Sequence, residues 1–420
     1  MMMSMSMSMS PQQTTETTTT TTRTETRTTK YFNLSPPPRR KGAFLFTNTF
    51  TKETREIMQN YATAVCHVCL VDRTSSESCS LTINENCDPS VRTDLMRAFE
   101  EIEFNATFMK RSVSVPVLSG GVAFGTWQGL YLCQFKSDAN EDESKVGVKV
   151  TVKASKFEKT KRGEFVAPKR GCHDATERIQ NCVDITDVKA GLLNVLIKHT
   201  SASLTLNDAR RAEELEKGLN ELIPESWNDS FLEHTMEGPD DCPAHIKATI
   251  LGETMNVPIR DGKLALSENE QILLCEHRNV GGYGGGFRRE FIASVNEAKA
   301  QEVLKFKKKT TKQSVVNVSE AVRDFVTKAK DETIELVHVF SPKGGVFLST
   351  AEDAEAFVDH VDSKVGSNAA LKSSVVGASE MLVVQDGDGQ KMFAGEGCLE
   401  CFVVSGGDEE EVIEVVFTAL

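Results

Sequence analysis

No run of eighteen or more apolar residues occurs in the 420-residue chain, so no helix is expected to cross a membrane. Basic charge is also in deficit: 48 Lys and Arg stand against 61 Asp and Glu, a formal −13. A nucleic-acid or anionic-membrane partner would want a basic face, so neither is expected. A disulfide framework is missing too, because eleven cysteines, an odd number, are spread over a long chain. A reducing compartment suits them. Cys66-x-x-Cys69 and Cys398-x-x-Cys401 lack a partner pair at zinc spacing and read as buried thiols.

Residues 1–40 have almost no aliphatic content and no hydrophobic stretch for secretion. Such a segment cannot bury enough apolar surface to offset its ordering entropy, so it is expected to be disordered. Its Ser, Thr and few Arg, with only Glu16 and Glu25 as acids, also suit an organellar transit peptide. The expected location is cytoplasmic, or mitochondrial or plastidic if the segment is a targeting signal, and not secreted.

What the chain does have is internal repetition. "SLTINENCDPSVRTDLMRAF" (80–99) and "SLTLNDARRAEELEKGLNEL" (203–222) each run from a β-rich stretch through Asn to an amphipathic helix. Ala212, Leu215, Leu219 and Leu222 form one helical stripe, and Asp88 and Pro89 sit where an N-cap and a first helical residue belong. "VPVLSGGVAFGTWQGLYLCQF" (115–135) aligns with "VPIRDGKLALSENEQILLCEH" (257–277). A weaker third copy pairs "LKSSVVGASEM" (371–381) with "IKATILGETM" (246–255). Units are expected at 41–152, 159–295 and 309–420, joined by Lys-rich connectors. Each mixes alternating strands with one or two helices, an α+β class of layered sandwich. Three homologous units on one chain most simply close into a pseudo-trimer, so a monomer acting as a fused trimer is expected. The glycine-rich 281–286 precedes a strand-like run and reads as a hairpin tip, as does the acidic 406–411.

The chemistry concentrates in "HTMEGPDDCPAHIK" (234–247). His234, His245, Asp240 and Asp241 are residue types that hold a divalent ion, imidazole suiting zinc or manganese and carboxylate suiting magnesium. Gly238, Pro239 and Pro243 between the two histidines point to a loop that presents them. Lys247 offers a positive charge for a phosphate, and His199, His245 and Glu237 are candidate catalytic groups. A lone histidine is more often structural, but paired aspartates beside two histidines are costly to bury without a cation. Trp127, between glycines and beside Gln128, reads as a stacking wall for a ring.

These segments, with "HTSASLTLND" (199–208) and "GTWQGLYLCQF" (125–135), resemble the signature segments of the YjbQ family, usually described as secondary thiamine-phosphate synthases. The resemblance implies a small α+β unit that trimerises, with a His- and acid-rich pocket where subunits meet. It covers units one and two almost end to end and unit three in pattern alone.

The departures from the family pattern are as informative as the match. Unit one keeps Asn84, Glu85 and Asn86, and Thr126, Trp127 and Gln128, but has Ser76 opposite His199 and "IEFNATFMKRS" in place of the His-acid segment. Unit two keeps His199, His234, Glu237, Asp240, Asp241, His245 and Lys247, but has "NDA" for Asn-Glu-Asn and "SENEQ" for the Trp-Gln segment. In unit three Ser341 stands opposite His199, Ala370 opposite His245 and Lys372 opposite Lys247. Units one and two are complementary halves, so one composite site is expected at their boundary. Asn84, Glu85, Asn86, Thr126, Trp127 and Gln128 would bind a small phosphorylated or heterocyclic substrate there. The resemblance implies a thiamine-phosphate synthase-like transfer with magnesium or zinc. A metal-dependent hydrolase of a small phosphorylated molecule, or a non-catalytic ligand-binding pseudo-trimer, fits the same residues.

Overall fold

The computed structural model describes residues 28–34, 41–71, 78–136, 146–279, 287–307, 315–386, 391–393, 399–404 and 412–420. Ser76, Cys398, the glycine-rich 281–286, the acidic 406–411, residues 1–27 and 35–40 and part of the second Lys-rich connector lie outside the described residues.

Among the described residues, one arrangement of eight strands occurs three times, in sheets of antiparallel pairs. In unit one a five-stranded sheet runs β1 (Thr29–Leu34), β8 (Val146–Ala154), β3 (Thr63–Leu70), β5 (Ser112–Leu118), β6 (Gly121–Val122). It faces a three-stranded sheet of β2 (Gly42–Leu45), β7 (Gln128–Gln134) and β4 (Cys79–Glu85). Unit two repeats the order with β9 (Thr160–Ala167), β16 (Phe287–Glu297), β11 (Ala190–Ile197), β13 (Thr254–Arg260), β14 (Lys263–Leu264). Its smaller sheet is β10 (Gly171–Asp174), β15 (Gln271–Glu276) and β12 (Ala202–Asn207). In unit three the order is β17 (Ala300–Lys307), β24 (Val412–Ala419), β19 (Leu336–Phe340), β21 (Ser379–Asp386), β22 (Lys391–Phe393). There the smaller sheet is β18 (Val315–Asn317), β23 (Glu400–Val404) and β20 (Gly345–Ser349).

The helices are α1 (Thr47–Met58) and α2 (Ser90–Glu101) in unit one, and α3 (Thr176–Gln180), α4 (Ala212–Leu222) and α5 (Asp241–Leu251) in unit two. Unit three has α6 (Ser319–Ala329), α7 (Ala354–Val365) and α8 (Ala369–Val376). Helix α8 occupies the place of α5, whereas unit one has only a short 3-10 turn, Ala106–Phe108. The architecture is α+β, as the sequence suggests, with each unit touching both others.

Two boundaries differ from expectation. Strand β1 falls inside the stretch 1–40 expected to be disordered, and pairs with β8 from Thr29 opposite Thr151 to Leu34 opposite Val146. Strand β17 begins at Ala300, ahead of the expected unit start at 309, runs into the Lys-rich connector and pairs with β24. Both are edge strands in which a few core-facing apolar residues, Phe32 and Leu34 in β1 and Leu304 and Phe306 in β17, are interspersed with polar ones.

The central strands are buried on both faces instead of alternating. Ala64, Cys66, Val68 and Leu70 of β3 pack into the core of unit one. Cys69 turns the other way, to meet Leu192, Leu336, Met381 and Leu420 from the other units. Registers place His67, Asn194 and His338 at equivalent positions on β3, β11 and β19, opposite Ser114, Asn256 and Met381. In α4, Leu215, Leu219 and Leu222 are buried while Ala212 is partly covered. Each fully buried leucine contributes roughly 1.5–3 kcal/mol. That stripe seats α4 against α8 of the next unit, so burying it also closes the ring.

Candidate functional site

Helix α5 is the element that builds the site, and it departs from the expected loop. Asp241 to Ile250 are all buried, since the helix is covered on every side by α2 and β4 of unit one and β12 of its own unit. With no solvent face it has no amphipathic pattern, and Pro243 is tolerated because a first turn has no backbone partner to lose. Its acidic start is favoured by the helix dipole, and Gly252, at φ +96°, ends it in a backbone region that suits glycine. Asp241 and His245, four residues apart, share one face. His234 comes from the chain just before the helix.

Onto that face unit one lays the end of β4. Asn84 Nδ2 donates to Thr249 Oγ1 at 2.5 Å and approaches His245 O at 3.4 Å, tying the strand to the helix. Glu85 Oε2 then stands 2.9 Å from His245 Nε2. One ligand atom from each of Glu85, His234 and His245 lies within 4.8 Å of the others, and all three residues are buried. The neighbouring boundary repeats this tie without the chemistry: Asn207 Nδ2 donates to Ala370 O at 2.8 Å and Ser374 Oγ at 3.0 Å.

The hydrogen bonds around the two imidazoles settle which nitrogen faces the cluster. His245 Nδ1 lies 3.0 Å from Thr200 O, which only accepts, so Nδ1 carries a proton and Nε2 is the nitrogen that faces Glu85. The 2.9 Å separation from Glu85 is that of an ion pair, yet Nε2 makes no well-directed hydrogen bond. His234 Nδ1 lies 2.8 Å from Asp88 Oδ2, and its Nε2 lies 2.7 Å from Asp241 Oδ2. Each ring thus has an acceptor at both nitrogens, two carboxylates for His234 and a carbonyl and a carboxylate for His245, while a neutral imidazole has a single N–H to give. Such an arrangement repels itself unless a proton or a cation joins it. Two imidazoles and one carboxylate are also the donor set of open zinc sites, and outer acceptors of this kind orient metal-bound histidines.

Charges around the cluster are held in place. The Asp88 carboxyl is lowered to about 2 by the backbone N–H and hydroxyl of Ser90, with His234 adding to them. The facing His245 holds Glu85 below its ordinary value against the opposing effect of burial. Asp94 of α2 accepts the backbone N–H groups of Glu233 and His234, both at 2.7 Å, and so fixes the approach of His234. Arg278 bonds Asp241, and its Nε lies 3.2 Å from Asp240 Oδ2.

Several predicted residues take other positions. Asp240 serves Arg278 and the Asn279 backbone N–H (2.6 Å), not the histidine pair. Lys247, two residues beyond His245, falls on the opposite side of α5, where it is fully buried and donates to Asn220 Oδ1 at 2.6 Å. Burial and Arg170 bring its ammonium down to about 8. The exposed carboxylate of Glu237 reaches Arg278 at 3.9 Å. His199 is brought down to about 3 chiefly by burial, with Arg289, His245 and Arg278 adding to it. Its Nδ1 accepts the Ser201 backbone N–H at 3.0 Å, which leaves the proton on Nε2 as a donor.

The Trp-Gln segment of unit one locks onto unit two. Gln128 Nε2 donates to Ile197 O (2.8 Å) and His199 O (3.0 Å) while its Oε1 accepts from Gly125 N. Asn86 Nδ2 donates to Gln128 O at 3.1 Å, and Asn86 N to Trp127 O at 2.8 Å. Thr126 and Trp127 form the turn between, with the Trp127 ring 56% exposed. Met236, on the segment that carries His234, is 91% exposed.

Sequence reasoning passed over Asp88, Asp94, Thr200 and Arg278. Asp88 does serve as a cap, accepting Ser90 N at 2.8 Å, and this hides its second bond to His234. Arg278 stands in "EHR", which read only as part of a closing hairpin.

Residues 163–298 match the family model described as UPF0047 protein YjbQ-like. The UPF0047 protein YjbQ of Escherichia coli O157:H7 is 39% identical over 120 residues, which cover 28% of this chain and 85% of that protein. The UPF0047 protein sll1880 of Synechocystis is 33% identical over 112 residues, 26% of this chain and 75% of that protein. A YbjQ-like protein of unknown function from Sulfolobus solfataricus aligns in structure over 33% of this chain and 96% of its own, with 20% identity and a TM-score of 0.29. On the strength of the sequence relatives, the chain belongs to the YjbQ-like UPF0047 family.

Proposed function

We propose that the chain is an enzyme with one active site, at the boundary of units one and two, where a divalent cation held by Glu85, His234 and His245 acts on a small phosphorylated substrate. The supporting observation is the convergence of these three ligand atoms within 4.8 Å from two different repeats, with the outer nitrogens of both rings engaged by Asp88 and Thr200. Bound there, zinc would polarise a phosphoryl oxygen and activate a water.

The surrounding side chains have separable roles. His199, neutral and with its proton on Nε2, donates a hydrogen bond to a substrate oxygen. Arg278 supplies positive charge at the lip, and Asp241 holds both Arg278 and His234 in place. The exposed Trp127 ring favours a substrate that carries an aromatic ring.

Two reactions fit this site. The first, implied by the family resemblance, joins a pyrimidine pyrophosphate to a thiazole phosphate, as a thiamine-phosphate synthase does. The second is hydrolysis of a phosphorylated molecule, which the His-His-Glu donor set favours. Supplying zinc, magnesium or manganese to the chelated protein and following thiamine phosphate formation and phosphate release separates them. Product that requires both heterocycles supports the transfer, and phosphate released from either alone supports hydrolysis. No turnover with any metal overturns the enzymatic reading in favour of a binding protein.

A further inference from the structure

The boundary between units three and one is the third equivalent of the composite site, and it is built differently. Where unit two contributes α5 and unit three α8, unit one contributes only the turn Ala106–Phe108. The missing helix leaves a cavity of about 390 Å³ between the units, within the size range of small-molecule sites.

Its walls are specific. Phe108 from unit one meets Phe357 of α7 at 4.8 Å between ring centroids, and Phe104 stacks on Phe108 at 4.1 Å. His360, one turn along α7, abuts the Phe108 ring edge-on at 5.1 Å, and its Nε2 has no hydrogen-bond partner among the described residues. At the polar end stands Glu380 of β21, buried with only 5% exposure. Glu380 is one of the residues that line the cavity; its Oε1 takes Lys110 Nζ at 2.9 Å, while its buried Oε2 has no hydrogen-bond partner among the described residues. A buried carboxylate oxygen left unmatched is costly, so a ligand donor there is favoured.

We propose that this cavity is a second binding site, selective for a planar heteroaromatic amine, whose ring lies against Phe108 and Phe357 and whose amino group donates to Glu380 Oε2. The neighbouring charges favour a neutral amine over an ammonium ion, because Lys110 and Arg111 already stand beside Glu380. The ring edge is then within reach of His360. This site is independent of the cluster at Glu85 and His245 and of any activity there.

The test is calorimetric titration of the full chain with adenine and with purine, which differ only by the amino group. Adenine is expected to bind about tenfold more tightly, the worth of one hydrogen bond to a charged group. Ala356, exposed at the cavity mouth on α7, is replaced in Ala356→Trp to fill the space without disturbing the core, and thermal melting checks that the variant is folded. Loss of adenine binding in Ala356→Trp, with binding retained in His245→Ala, supports the site. Equal affinity for adenine and purine, no binding of either, or adenine binding unchanged by Ala356→Trp overturns it.

Discussion

Glu85 Oε2 and His245 Nε2 lie 2.9 Å apart, although one ends a strand of unit one and the other sits in the middle of a helix of unit two. The pair exists only because the two repeats are docked, so a change that shifts the docking should act on the site before it acts on the fold.

Gly125 offers such a change. A Cβ there would stand 2.7 Å from Lys198 O, a backbone atom that cannot swing aside. Gly125→Ala should push the Trp-Gln turn away from unit two and weaken divalent-cation binding. The cost in stability should be about 1–3 kcal/mol, typical of overpacking. Metal titration beside a denaturant melt checks this; an unchanged affinity would show that the turn does not position the cluster.

Asp88 touches the site only through His234 Nδ1. Asp88→Asn should keep the ring in place but reduce its basicity, lowering metal affinity about 10–100-fold, as outer partners of metal ligands do. Competition with a chromophoric chelator measures the change, and the apo protein's melting temperature should move little.

Histidines whose proton affinity is lowered in the folded chain make it acid-sensitive. His67 and His199 are each held at about 3, mainly by burial, as is His338. Unfolded, each would titrate at about 6.5, so between those values the unfolded chain binds more protons. Their contribution to stability is complete above about pH 6.5 and is lost as pH falls toward 3. His67 faces Ser114, Lys153 and Asn296, and His338 faces His67 and Lys110. Since Asn194 fills the equivalent position in unit two, His338→Asn should fold and should flatten the dependence of stability on pH by about one proton. Denaturant melts from pH 4 to 7 read this directly.

Lys247 acts with the same sign in a more alkaline window. Burial lowers its folded value to about 8, against 10.5 for a free lysine, so stability should rise as pH increases from about 8 to 10.5. Lys247→Met, which keeps the buried stem, should abolish that rise, and stability at pH 7 should not fall. A loss of several kcal/mol at pH 7 would mean that the bond to Asn220 outweighs the burial.

Much of the repeat was legible because it rests on local pattern. The Leu215, Leu219, Leu222 stripe, the Val-Pro starts and the Leu-Cys endings recur in sequence and lie in equivalent elements. Helix α5 was not legible, because a helix buried on every side carries no apolar stripe, and Gly238, Pro239 and Pro243 suggested a loop. Strand β1 was hidden for a different reason: its six residues, TKYFNL, directly follow a low-complexity run and offer only Phe32 and Leu34 to the core. Within the site, residue type separated His234 and His245 from ordinary positions. Only the packing of one repeat on another could bring Glu85 to them, or turn Lys247 away.

The central claim is that half of the site comes from each of two repeats, and metal stoichiometry tests it most directly. Purified protein would be loaded with zinc, dialysed and assayed for bound metal beside Glu85→Gln and His245→Ala. One tightly bound ion per chain is expected in the wild type, and its loss in both variants. An ion retained in Glu85→Gln with unaltered affinity, or no tightly bound ion in the wild type, would contradict it.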